Sequence, residues 1–179
     1  GEARHAYLFA GPAGLGRRSL ALSFARALNC ANPPAPGDFC GECRDCKQIA
    51  VMQHPDLRIV EPTIINPDDR KELIPAQYGE IRIQQIRDLQ RIINLKPYQS
   101  AYRPIIVLRF NQTAAQAANA FLKTLEEPPA HVILLLTADN PESLLPTIVS
   151  RCEVLRLRPL PIEQVQRELE SRGVENSRA

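Results

Sequence analysis

The chain has 179 residues, 44% of them apolar, and a formal net charge of +2. That suffices for one well-buried α/β domain plus a fragment and excludes two full domains. The charge is too small to argue for nucleic acid by itself, and the longest apolar run, Val132 to Leu136, is far too short for a membrane span.

No signal peptide opens the sequence, which predicts a cytoplasmic protein without a membrane partner. Position 1 is Gly rather than Met, which points to a chain trimmed at its front. Tyr7 to Ala10 is a short apolar run that stops at Gly11, a buried parallel strand feeding a loop. Leu20, Phe24 and Leu28 then recur at every fourth residue, one face of a helix. Asn29 to Cys46 is irregular, with three prolines and two glycines. Leu57 to Val60 is a second strand, and Pro62 to Gly79 reads as a polar loop. Ile86, Leu89 and Ile93 mark a helix over Arg82 to Leu95, and Pro104 to Leu108 is a third buried strand. Thr113 to Glu127 is a strong helix former stopped by Pro128-Pro129. Val132 to Leu136 is a fourth strand, Leu144 to Ser150 a short helix or turn, and Glu153 to Leu157 a fifth strand.

Strands alternating with helices predict an α/β fold with a mostly parallel, doubly wound sheet. Pro159-Leu160-Pro161 reads as a hinge that closes a domain over residues 1–159. Beyond it, Ile162, Val165 and Leu169 open an amphipathic helix ending near Gly173, the first element of a second domain over residues 160–179.

Gly11-Pro-Ala-Gly14-Leu-Gly16-Arg17-Arg18 has the glycine frame of a P-loop after a strand and before a helix. Lys and then Ser or Thr belong at the last two positions, the first to reach the outer phosphates and the second to ligate magnesium. Arg17 keeps the positive charge as a planar fork, while Arg18 cannot ligate a cation. Ser19 comes one residue late, about 100° round the helix. An ATPase also needs an acidic residue after a second apolar strand. Leu108 and Arg109 stand there instead, and no Asp or Glu occurs between Asp88 and Glu126. Two independent parts of the hydrolytic apparatus are missing, so ATP is not expected to be hydrolysed.

Cys30, Cys40, Cys43 and Cys46 form C-x9-C-x2-C-x2-C, and Cys152 stands alone. Clustering without a secretory signal reads as a metal site in a reducing compartment. Four thiolates at this spacing predict a closed, structural zinc site over residues 30–46, with no open position for substrate. An iron–sulfur protein would continue with three residues and Cys-Pro, which do not follow Cys46. Lys123 and Glu127 are spaced for a helical ion pair, and His5, His54 and His131 are scattered without catalytic spacing.

Asn119-Ala-Phe-Leu-Lys-Thr-Leu-Glu-Glu-Pro-Pro129, Ser150-Arg151-Cys152 and the cysteine insertion together resemble the bacterial DNA polymerase III clamp-loader subunits of the AAA+ class. His5 to Gly11 and His54-Pro-Asp-Leu57 fit as well. The resemblance implies a RecA-like AAA+ domain followed by a helical lid. Within that family intact P-loops mark the gamma/tau motors, and a decayed P-loop with a retained Ser-Arg-Cys resembles the delta-prime branch. It implies that Arg151 is an arginine finger acting in trans on a neighbouring motor's ATP, that Cys30, Cys40, Cys43 and Cys46 hold zinc, and that Thr137 falls at the sensor position. Gly11, Gly14, Gly16, Arg17 and Arg18 become a degenerate nucleotide loop. The implied partners are gamma/tau and delta subunits and, through the complex, the sliding clamp and primer-template DNA. Two other readings are a gamma/tau-like motor with weak ATPase and a zinc-stabilised interaction domain unrelated to replication.

Overall fold

The structure, a computed structural model, describes residues 4–69 and 72–171, with side chains 168 and 169 also outside the description. The expected helix end at Gly173, the other residues of 172–179 and the side chain of Leu169 lie outside the described residues. The chain runs β1 (Ala6–Ala10), α1 (Arg17–Asn29), α2 (Arg44–Ala50), β2 (Arg58–Val60), β3 (Thr63–Ile65), β4 (Leu73–Pro75), α3 (Ile83–Ile93) and β5 (Arg103–Val107). It continues through α4 (Ala115–Glu126), β6 (Val132–Ala138), α5 (Pro146–Val149), β7 (Glu153–Arg156) and α6 (Ile162–Ser171).

Five strands form one sheet in the order β2-β5-β6-β1-β7, every neighbouring pair parallel. All five therefore end on one edge, which gathers their C-terminal loops as open α/β sheets do. The central strands are buried on both faces, so they read as continuous apolar runs and not as alternating ones. Consecutive residues nonetheless go to opposite sides. Leu8, Ile105 and Leu134 pack with Ile86, Leu89 and Phe121 of α3 and α4. Phe9, Ile106 and Leu135 pack with Ala21 and Ala25 of α1 and Ile49 of α2. Burying Phe9 or a leucine in these layers contributes about 1.5–3 kcal/mol each.

Two segments differ from the sequence expectation. Residues Pro62 to Gly79, read as a loop, hold the antiparallel hairpin β3–β4, with Ile64 opposite Ile74. The end of the irregular cysteine segment continues directly into α2, with Cys43 as its N-cap. Lys123 and Glu127 form no ion pair among the described residues, because Glu127 has left the helix at φ −130°. No described helix is long and apolar enough to cross a membrane.

Candidate functional site

The loop after β1 keeps the backbone of a phosphate cradle. Gly16 sits at φ +77° as the N-cap of α1, and Gly14 at φ +87°, a region that favours glycine. At Gly11 the reason is crowding: a Cβ there would stand 2.8 Å from the Leu157 carbonyl oxygen. The α1 N-terminus has no side-chain cap and no acid in its first turn, so its first N–H groups face the loop without an internal partner.

A cavity of about 510 Å³ opens beside the loop, lined by Gly14, Gly16, Arg17, Arg18, Arg109 and Thr137 among others. Its side chains do not match magnesium chemistry. Arg17, with 11% of its side chain exposed, places Nη1 2.7 Å from Oδ1 of Asp139, just past the end of β6. The contact is a charge pair without hydrogen-bond alignment, since the same Nη1 has no hydrogen-bond acceptor. Leu108 is buried, and its N–H donates to the Val60 carbonyl. Arg109 follows in the left-handed region, at φ 51°, and its Nη2 donates to the Ala76 carbonyl at 2.9 Å. Glu61, at the end of β2, lies 3.9 Å from both Arg18 and Arg109. The buried Thr137 hydroxyl accepts the Arg109 backbone N–H at 2.9 Å, which ties β6 to the turn after β5. Thr137, expected at the sensor position, thus lines the cavity while holding its wall.

At the other end of α1, Cys30 is the C-cap. The Sγ atoms of Cys30, Cys40, Cys43 and Cys46 all lie within 4.8 Å of one another, with Cys30 and Cys40 at 3.5 Å. A tetrahedral ion with metal–sulfur bonds of about 2.3 Å sets sulfurs about 3.8 Å apart, so the donor set fits a thiophilic ion. Backbone N–H groups of Cys40, Cys43 and Cys46 donate to Cys30, Cys40 and Cys43 sulfurs at 3.2, 3.3 and 3.5 Å. The N–H groups of Cys43 and Glu42 lower the Cys40 thiol to about 6. Burial, unopposed by comparable donors, pushes Cys46 up to about 12. A bound cation would supply the charge that lets the four thiolates coexist.

Arg151 follows α5 and is 34% exposed at its side chain. Its Nη2 meets Oε1 of Glu126, the last residue of α4, at 2.7 Å, and its Nη1 donates to the Thr147 carbonyl at 2.8 Å. Cys152 is a packing residue against the α3–α4 side of the core, and burial raises its thiol to about 12. It anchors the turn that presents Arg151.

A family model described as DNA polymerase III, delta subunit, matches residues 1–161. The chain belongs to that family. It is 40% identical over 158 residues to DNA polymerase III subunit delta' of Pseudomonas aeruginosa, covering 88% of this chain and 44% of that protein. To the Bacillus subtilis delta' subunit it is 34% identical over 165 residues, covering 92% and 45%. The chain thus spans about half the length of these curated relatives. The fold agrees with a DNA polymerase III gamma subunit-related protein of Thermotoga maritima, at TM-score 0.64 and 24% identity over 93% of this chain and 45% of that one. The RuvB Holliday junction branch migration motor of the same organism shares the fold at TM-score 0.53 and 10% identity, covering 93% and 42%. The expected α/β class with a cysteine insertion therefore holds for this delta-family chain.

Three carboxylates at these sites, Glu61, Asp139 and Glu126, were not expected from the sequence. The first two stand just past the ends of β2 and β6, on the edge where a parallel sheet gathers its site, and that rule is the signal for them. His54, one of the scattered histidines, is buried between two aspartates. Its Nδ1 accepts the Asp56 N–H, so its Nε2 carries the proton and donates to Asp45 Oδ1 at 2.9 Å. Asp45 lies between Cys43 and Cys46, so this bond orients the cysteine segment on the core.

Asp56 in turn accepts the backbone N–H groups of Tyr98, Gln99 and Ser100 at 2.6, 2.9 and 3.1 Å, with Arg103 3.4 Å away. Burial alone would raise its carboxyl. The three N–H donors and the Arg103 charge outweigh burial and hold it below the ordinary value.

Proposed function

We propose that the chain is the AAA+ part of a non-hydrolysing, delta-prime type subunit of a replicative clamp loader, with residues 160–179 opening its lid. The observation that carries this reading is the split at the phosphate loop. The glycine backbone is intact, while the lysine position, the magnesium-ligating position and the acidic pair hold Arg17, Arg18, Leu108 and Arg109. Such a subunit serves as a stator, working in the cytoplasm in a ring with gamma/tau and delta subunits and, through them, with the sliding clamp and primer-template DNA. The four cysteines hold a structural zinc ion, which the all-sulfur donor set favours.

In this reading Arg151 reaches a neighbour's ATP. Its partial exposure and its place on a short turn support that role. Two of its amino groups are held by Glu126 and the Thr147 carbonyl, so engaging a phosphate exchanges the Glu126 contact for one to the transferring group, where a guanidinium supplied in trans stabilises developing charge.

The test is reconstitution of the full-length protein with gamma/tau and delta subunits, followed by ATPase and clamp-loading assays. Arg151→Ala lowers turnover at the affected site by up to roughly 10³-fold. Wild-type loading by a folded Arg151→Ala complex removes the finger role, and ATP turnover by the isolated subunit favours a motor.

A further inference from the structure

The phosphate-loop cavity has not lost positive charge along with its magnesium groups. In an intact loop the phosphates face a lysine and a magnesium ion, about three positive charges together. Arg17, Arg18 and Arg109 line this cavity, Arg17 at the lysine position, Arg18 at that of the magnesium-ligating hydroxyl and Arg109 in the Leu108-Arg109 pair that stands in place of the acids. We propose that the cavity is a magnesium-independent binding site for an oligophosphate anion, with the Arg18 and Arg109 guanidinium groups standing in for the divalent ion.

The charges in the cavity are only partly answered. Arg18 and Arg109 share one carboxylate, Glu61, at 3.9 Å from each, the outer limit of an ion pair. Arg17 is answered by Asp139, 2.7 Å from its Nη1, though without an aligned hydrogen bond, and Nε of Arg109 is a buried donor with no hydrogen-bond acceptor. A buried donor left without a hydrogen bond is costly, and a phosphate oxygen would relieve it with a charge-assisted bond. The loop side is open as well, since nothing lies within 4 Å of where a Cβ on Gly14 or Gly16 would stand. The uncapped N-terminus of α1 adds its dipole on the same side. A magnesium complex suits the cavity less than the bare anion, because the ion would sit against two guanidinium groups with Glu61 alone to hold it. The site depends on this chain's own cavity geometry and not on its place in a clamp loader, so an empty cavity leaves the clamp-loader reading standing.

The experiment is calorimetric titration of the full-length protein with inorganic tripolyphosphate and with ATP, each in EDTA and in excess magnesium. Tripolyphosphate is expected to bind in EDTA and to bind more weakly once magnesium is added. Equal affinity for ATP identifies the phosphate chain as the recognised group, and tighter ATP binding identifies a nucleotide as the occupant; both support the site. Arg18→Ala and Arg109→Ala each weaken binding about tenfold or more. Arg26→Ala leaves it unchanged, since that guanidinium lies over the Phe39 ring at 4.1 Å. Circular dichroism checks that every variant is folded, and the exposed Arg18 is replaceable without disturbing the core. No heat from either anion in EDTA, binding that requires magnesium, or unchanged affinity in both cavity variants overturns the proposal.

Discussion

The two ends of α1 have kept opposite things. At its N-terminus the glycine loop has the backbone a phosphate cradle needs, with glycines in left-handed conformations, and in the proposed reading carries arginines where magnesium chemistry belongs. At its C-terminus the cysteine segment retains every donor, all four sulfurs within 4.8 Å, on a stretch with little regular structure before α2. A phosphate loop is held by backbone geometry and packing against Leu157, so its side chains can change without loss of shape. With the proposed zinc, the cysteine segment is held by the bonds its side chains make, so the reverse applies. Replacing a side chain should thus be expensive at one end and cheap at the other.

The largest effect is expected at the cysteine end. Cys43→Ser, or zinc removal by a strong chelator, should unfold residues 30–50 and lower the melting temperature steeply. Structural zinc contributes about 10–16 kcal/mol in small zinc-finger peptides. Elemental analysis should find about one zinc per chain and no iron, while a brown protein with visible absorbance would contradict the assignment.

Next comes the polar network that seats this segment. Asp56→Ala strands three backbone N–H groups and the buried Arg103, and should cost roughly 3–5 kcal/mol in denaturant unfolding. The pH dependence follows from the lowered Asp56 carboxyl. Its stabilisation is fully present above the ordinary aspartate value, about pH 4, and is lost as pH falls through the lower native value. Wild-type protein should lose this contribution in acid, and Asp56→Asn should flatten that part of the profile.

Arg151→Ala should be nearly silent in stability, because a half-exposed ion pair with Glu126 contributes only about 0–1 kcal/mol. A matching loss from Glu126→Gln in thermal melts would confirm how little the pair holds. A large loss of stability from Arg151→Ala would make the residue structural and dissolve the contrast between shape and chemistry.

The parts legible in the sequence are those fixed by local pattern. Apolar runs such as Val132 to Leu136 announce buried parallel strands, and C-x2-C spacing announces converging thiolates. The β3–β4 hairpin escaped because its strands are three residues each, partly exposed and set in a polar, proline-containing stretch. The seven residues of α2 were hidden by the cysteines that begin it. Carboxylate partners escaped for another reason. Asp139 meets Arg17 only after β1 and β6 are laid side by side, and Glu126 meets Arg151 only where α4 packs against α5. Arg109 was visible as a missing acid, but its bond to the hairpin carbonyl of Ala76 depends on an element the sequence did not announce.

The central claim is that the phosphate loop persists as shape after its hydrolytic chemistry has gone, and phosphate release from saturating Mg-ATP by the purified full-length subunit alone tests it most directly. The account predicts no turnover above background for the wild type, and none for the Arg17→Lys, Arg18→Thr double variant, since Leu108 and Arg109 still occupy the acidic position. Turnover by the wild type that disappears on Arg17→Ala would contradict it.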